Sequence, residues 1–476
     1  MQRLLTESRY QDVMHNALKS VLSLFCALSL LLMQFAHLAP PAYAQQRGND
    51  LRLIRDEEIE ELMRRYLKPI FKVAGINPGA VQIHLIADNS INAFVAGGQR
   101  IFIHTGLIEQ AATPNEVIGV LAHETAHVAG GHLARLGVEV DKASTQAIIA
   151  MLLGAAGAVA AASSGARGAG QAGSAIMMGG QSMVQRNLLS YVRAQEAAAD
   201  EGALRYLEAT GQSGKGMLEL FQKLYNQSIG SVQYIDPYAV SHPLPLQRIR
   251  VLEERVRASK YYGKKDEDFL VLRHHMAQAK LIAFTRDAQS VYNVYPPADT
   301  SLPAQYARAI AAYRLGDMNS AIPQIDRLIS VIPKNPYFWE LKGQALLEKG
   351  NPAEAVEPLR QAVKLAPKSG LIKIMLAQAL LASDSKPAAK EALGILAKAE
   401  TVEGQSAQLH LFKARAHGIM GDLPRAELAT AESAMLRGDK KLAKEKAQGA
   451  LDRSSPGSSV HIRANDILNA LKQKDS

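Results

Sequence analysis

His123-Glu124-Thr125-Ala126-His127 is the segment whose residue types and spacing most directly support chemistry. On a helix the two histidines lie one turn apart on one face, so both imidazoles can reach a single ion. Glu124 projects beside them, where it can take a proton from an activated water. A catalytic zinc needs three protein ligands and an open position, and two residues are candidates for the third. His132 lies five residues past His127, about 500° round a straight helix, and so off the ligand face unless Gly130-Gly131 breaks the helix. Glu196, in Arg193-Ala194-Gln195-Glu196-Ala197-Ala198-Ala199-Asp200, is the better candidate. Its flanking alanines allow a close helix approach, and Asp200, one turn on, can accept the second N–H of a ligating histidine. Without the two histidines, this acidic pair would read as a solvated face.

Those residues need elements to hold them. A charged amphipathic helix is expected from Gln45 to about Ala74, from Leu51, Ile54, Ile59, Leu62 and Tyr66. Val81–Ala87 and Ala93–His104 read as strands, the second turning at Gly97-Gly98. Thr113 as N-cap, Pro114 at the first position and Glu116 two residues later start the helix that carries His123, which should weaken at Gly130-Gly131. Arg186–Ala209 reads as a second helix closed by Gly211, and a charged helix follows Leu246. Ile148–Val184 is dominated by Ala, Gly and Ser, with Arg167 as its only charge. Its most apolar part is too short to span a bilayer, so small-residue helices or a flap beside the site are favoured.

The C-terminal part repeats. Gly316 and Gly350 are 34 residues apart, as are Ala321 and Ala355, and Pro333 and Pro367; Asp384 extends the register. That period, with a small-residue turn inside and Pro after the second helix, resembles tetratricopeptide repeats. About four are expected from Leu302 to Leu471, joined to what precedes by a partly helical connector at 259–300. His274-His275 in that connector reads as a surface pair, His104 as a packed strand residue, and Trp339 as part of the solenoid core.

Composition sets limits. Of 476 residues, 54 are Lys or Arg and 45 Asp or Glu, a net charge of +9 spread along the chain, so nucleic-acid binding has no support. Cys26 is the single cysteine, which excludes disulfide scaffolds, Cys-ligated zinc and a thiol nucleophile. It lies in a Leu-rich run after Lys19 and before Pro40-Pro41-Ala42-Tyr43-Ala44, the order of a secretory signal cleaved after Ala44.

With these residues in view, the chain resembles the zinc metallopeptidases of family M48. The type it is similar to is the periplasmic one with C-terminal tetratricopeptide repeats, that of the beta-barrel assembly-enhancing proteases of Gram-negative bacteria. Asn92-Ala93-Phe94, Gly97-Gly98, Thr105-Gly106-Leu107, the H-E-x-x-H helix, Glu196-x-x-x-Asp200 and Ser241-His242-Pro243 with Arg248 carry the likeness. The resemblance implies that His123, His127 and Glu196 hold one zinc per chain. Glu124 is then the general acid/base and Asp200 a further active-site acid, with His242 and Arg248 near the centre, either of them a possible second donor to the oxyanion.

The implied fold is α+β and mostly helical: a zincin-like metallopeptidase domain with a small sheet, then an all-α tetratricopeptide solenoid. The expected divisions are a signal peptide at 1–44, the peptidase domain at 45–258, the connector and the repeats at 301–476. The implied function is periplasmic hydrolysis of misfolded or stalled envelope proteins, with the Ala93–His104 strand as the edge that substrate joins. Partners would be unfolded envelope substrates and the outer-membrane assembly machinery, reached through the repeats, with at most peripheral membrane contact. The alternative is an assembly scaffold or chaperone in which proteolysis is secondary. His242, aimed by Pro243, is expected either to close the zinc site at rest as a fourth ligand or to hydrogen-bond substrate.

Overall fold

The computed structural model describes residues 52–473 apart from Gly98, 137–189 and 231–241. The signal segment and the Ala/Gly-rich stretch fall outside the described residues. From Leu53 on, the described residues form one compact unit.

The described residues begin with a strand where the sequence predicts helix. β1 (Leu53–Ile54) pairs antiparallel with β2 (Gln82–Ile86), and α1 (Glu57–Ala74) begins only after it. Asp56 sets that start by accepting from the Ile59 N–H, and Gly75, at φ 70°, ends the helix in the left-handed region. β3 (Ala93–Ala96) and β4 (Arg100–His104) form a hairpin, turning through Gly97 at φ 56°. The sheet order is β1-β2-β4-β3, with β2 and β4 parallel. Of the two hairpin strands only β3 is therefore at an edge, the other edge of the sheet being β1; Arg100–His104 is internal, which corrects half of the edge expected for substrate. His104 is buried, its Nδ1 2.9 Å from Ser90 Oγ, as a satisfied strand residue should be.

After α2 (Thr105–Gln110) comes α3 (Pro114–Gly130), capped much as its sequence indicates. Thr113 Oγ1 accepts from the Glu116 N–H, while Glu116 Oε2 accepts from Ala112 N–H, one residue before the usual capping-box partner. α4 (residues 190–209) and α5 (Lys215–Gly230) pack against α3, and α6 (Leu246–Ala258) packs on α5. Two glycines permit this: a Cβ on Gly119 would lie 2.5 Å from Met217 Cβ, and one on Gly202 2.8 Å from Ala126 Cβ. Leu62, Tyr66, Leu121, Leu220 and Phe221 are among the residues of this core.

The connector is a structural member. α7 (Asp268–Thr285) gives Ala277 and Leu281 to the peptidase core and Met276, Ala279 and Ala283 to the first repeat core. His274 is fully buried, its Nε2 3.1 Å from Ala111 O, which corrects the surface reading of that pair.

The solenoid runs through α8 (Leu302–Leu315), α9 (Met318–Val331), α10 (Pro336–Glu348), α11 (Pro352–Leu365) and α12 (Gly370–Leu381). It continues with α13 (Lys386–Glu403), α14 (Ala407–Met420), α15 (Leu423–Leu436), α16 (Lys440–Asp452) and α17 (Ser459–Gln473). These make five helix pairs among the described residues, one more than the sequence suggests. Gly316, Gly350, Gly421 and Gly438 all turn with positive φ, and Asp384 takes the same conformation at φ 47°. Trp339 donates its indole N–H to Pro333 O and packs within the repeats.

The repeats grip the start of α1. Tyr306 Oη donates to Glu58 Oε2 at 2.9 Å, Ser369 Oγ to Glu57 Oε2 at 2.6 Å, and Arg55 pairs with Glu403 through two bonds. Lys280 on α7 lies 2.7 Å from Asp56 Oδ2. Among the described residues no helix is long and apolar enough to cross a membrane.

Candidate metal centre

Three pieces of chain far apart in sequence meet beneath the sheet. α3 carries His123, Glu124 and His127; α4 carries Glu196 and Asp200; the turn before α6 carries His242. His123 is fully buried and Glu124 is 1% exposed, so nothing in the cluster is solvated by default.

Four donors converge. His123 Nε2 is 3.0 Å from His127 Nε2, 3.4 Å from His242 Nδ1 and 3.4 Å from Glu196 Oε2. Glu196 Oε1 is 3.3 Å from His127 Nε2, and Glu196 Oε2 is 3.1 Å from His242 Nδ1. Zinc bonds of ~2.0–2.1 Å in a tetrahedron put neighbouring donors about 3.3 Å apart. Three imidazoles and one carboxylate at those separations therefore fit a tetrahedral divalent ion, and His123, His127, Glu196 and His242 form the set able to hold one.

The donors are held from behind. Asp200 Oδ1 lies 3.0 Å from His123 Nδ1. Arg248 grips Asp200 with two bonds of 2.6 and 2.8 Å, reaches Glu196 Oε2 at 2.9 Å, and donates to Pro243 O. Its guanidinium is thus committed to the donor framework, which does not favour the oxyanion-donor reading, and it lies 5.3 Å from the Phe221 ring centroid. On the other side His132 Nδ1 is 3.0 Å from His127 Nδ1. Glu124 Oε1 makes no hydrogen bond and has His242 Nε2 3.4 Å away.

Charge is distributed unevenly. Burial works against a charged His123, but Asp200 and Glu196 outweigh it and raise the ring to about 9. His127 goes down to about 3 through burial, which Glu196 only partly offsets. Burial pushes the Glu124 carboxyl up. Glu196 and Asp200 stay well below the usual carboxylate range despite burial, held down by the histidines around Glu196 and by Arg248 and His123 around Asp200. Burial lowers His132.

All seven residues singled out in the sequence lie in this one cluster. His132, the other candidate for third ligand, is outside the donor set, although the helix break it would need at Gly130-Gly131 is present. A straight helix would point it away, but Gly131 turns the chain at φ 60° and the ring returns to the far side of His127. The glycine pair was the available signal.

Comparison with known proteins gives a consistent context. Residues 54–256 match the model of Peptidase family M48, and residues 306–370 match a tetratricopeptide repeat model. The chain is 23% identical to the Beta-barrel assembly-enhancing protease of Yersinia pestis over 412 residues, 81% of each protein. Its counterpart in Escherichia coli (strain K12) is 22% identical over 346 residues, 71% of this chain and 68% of that one. A Vibrio cholerae protein provisionally given the same name is 27% identical over 310 residues, 63% of this chain. Of that relative's length this chain spans 61%.

Proposed function

We propose that this chain, with its peptidase family M48 domain at residues 54–256 and the tetratricopeptide repeats that follow it, is a zinc endopeptidase of the periplasm. Its substrates are misassembled or stalled outer-membrane proteins. The observation that carries the metal assignment is the set of four donors within 4.8 Å of one another, five of their six pairings at 3.0–3.4 Å, brought from three separate elements. The names of the relatives, which describe β-barrel assembly, carry the choice of envelope substrates.

His123, His127 and Glu196 hold the ion. Bound there, zinc supplies Lewis acidity, polarising a peptide carbonyl and making water acidic near neutral pH. Glu124 takes the proton of the attacking water and passes it to the leaving amine; its raised affinity for protons suits both transfers. Asp200 holds the far nitrogen of His123, and Arg248 locks Asp200, Glu196 and the Pro243 carbonyl together. His242 is the fourth donor at rest and must swing aside for substrate; its Nδ1 lies within the donor set and its Nε2 faces Glu124. Extended substrate pairs along β3, the free edge beside α3, which reads backbone more than side chains.

Zinc content tests this reading. The purified chain should bind about one zinc, lost on substituting His123, His127 or Glu196. Full peptidase activity in a metal-free preparation would sink the mechanism. A second reading, an assembly scaffold acting through its repeats, draws on relatives whose name joins assembly to proteolysis. It becomes primary if Glu124→Gln still restores envelope function to a strain lacking the protein.

A further inference from the structure

The two histidines of α3 are supported on their far sides by different chemistry. His123 has a carboxylate, Asp200, and that carboxylate is clamped by Arg248. His127 has a second imidazole, His132, at 3.0 Å between the Nδ1 atoms, with ring planes 88° apart. This contact is built by the backbone. Gly131 supplies the left-handed turn that reverses the chain after α3. Gly130 supplies space: a Cβ there would lie 2.2 Å from His132 Nε2 and 2.5 Å from its Cδ2. The His132 ring therefore folds back over a bare α-carbon, and the residue ends 8% exposed.

We infer that His132 is a positioning residue, which fixes the tautomer and ring plane of His127 for the metal, and that Gly130-Gly131 is retained to seat it. The inference rests on the metal reading above. His127 directs Nε2 toward His123 and Glu196, so its proton belongs on Nδ1, where it donates to His132 Nδ1. His132 then carries its own proton on Nε2. A neutral acceptor is the fitting choice here. Glu124, Glu196 and Asp200 already set three carboxylates against Arg248 and a divalent ion, and a fourth carboxylate would leave the buried cluster with net negative charge.

Zinc affinity, measured on the full chain by competition with a chromophoric chelator, is the test. His132→Ala should bind zinc on the order of 10- to 100-fold more weakly, with faster loss to chelator. Gly130→Ala touches no donor yet should give the same loss, because its methyl displaces the His132 ring. The double variant should be no worse than either single one. His132→Gln, which keeps a neutral acceptor, should recover part of the affinity and serves as the folded comparison if the alanine variant is unstable. The inference is overturned if His132→Ala binds within about twofold of the parent, if the two losses add, or if His132→Gln binds as poorly as His132→Ala. A parent chain that takes up no zinc overturns the metal reading and this inference with it, whereas a zinc-binding parent with an unaffected His132→Ala overturns the inference alone.

Discussion

In the solenoid, helix starts are closed by their own side chains: Ser301, Asp317, Ser369, Ser406 and Asp439 each accept from the backbone N–H three residues on. The cores there are mostly alanine, leucine and isoleucine. Around α3 the burial runs the other way, with His123, Glu124, Glu196, Asp200 and His242 all nearly inaccessible and dependent on one another for partners. The repeats are stabilised by rules satisfied within a few residues of sequence. The metal-facing cluster is stabilised only when α3, α4 and the turn at His242 are all in place. Buried polar groups of this kind cost free energy unless every partner is present, and such departures from local consistency concentrate where function is. Damage to the two regions should therefore look different: lost stability in one, lost chemistry in the other.

The harshest way to break that comparison is to separate the regions. Removing everything after Pro303 strips the cover from Met276, Ala279 and Ala283 on α7 and removes Tyr306, the partner of buried Glu58. The peptidase part is then expected to lose cooperative unfolding and aggregate, seen by calorimetry and light scattering. A truncated chain that folds and cleaves as the parent does would mean that α7 is a dispensable tether.

Next in size is Glu124→Gln, which should lower cleavage of an unfolded protein by roughly 10²- to 10⁴-fold. Zinc content and the unfolding midpoint should stay close to the parent, since the shape is kept and Glu124 Oε1 makes no hydrogen bond to lose. A smaller drop than tenfold would remove Glu124 from the proton transfers.

How much of this was legible beforehand follows the same division. The 34-residue spacing located the turns at Gly316 and Gly350, and it located Asp384, which adopts the turn conformation without being glycine. The capped start of α3 was also readable, because a cap is a local device. The acids of α4 were found only through the partner they would need. What escaped depends on packing from two sides. β1 forms because Leu53 and Ile54 find Ile86 and Leu85, which no local pattern announces. His274 is buried because α7 is covered by both the peptidase core and the repeats, so the amphipathic pattern that marks a surface histidine does not apply. The glycine pair flagged a break before His132, but that its ring backs His127 follows only from the φ of Gly131.

Two glycines in the repeats sharpen the comparison at the level of about 1 kcal/mol. Gly343 in α10 faces Leu359, whose Cγ would sit 2.4 Å from a new Cβ. Gly343→Ala is expected to destabilise, since overpacking of ~1–3 kcal/mol outweighs a helix-propensity gain of ~1 kcal/mol. Gly394 in α13 is exposed and a Cβ there would meet nothing within 4 Å. Gly394→Ala should stabilise by about 0.5–1 kcal/mol. Denaturant midpoints with unchanged slopes would read both, and equal signs for the two would refute the local account of the solenoid.

The smallest effect concerns a place where the repeats, like the cluster, set a buried histidine against a carboxylate. His410 on α14 has Nδ1 3.1 Å from Glu432 Oε2 and Nε2 3.0 Å from the Gly404 carbonyl, so both ring nitrogens face acceptors. Burial opposes its charge, but Glu432 and that carbonyl outweigh it and raise its pKa above the ordinary histidine value. Glu432, despite burial, is held below the usual carboxylate range by His410 and Arg463. A raised histidine contributes stability that is fully present below its unfolded pKa of ~6.5 and fades as pH rises through the folded value. A lowered glutamate contributes above its unfolded pKa of ~4.3 and fades as pH falls through the folded one. The pair therefore stabilises most between about pH 4.5 and 6.5. In thermal scans the parent's advantage over His410→Gln should be largest near pH 5.5 and shrink steadily toward pH 9. A difference that stays constant across that range would show that His410 contributes packing alone.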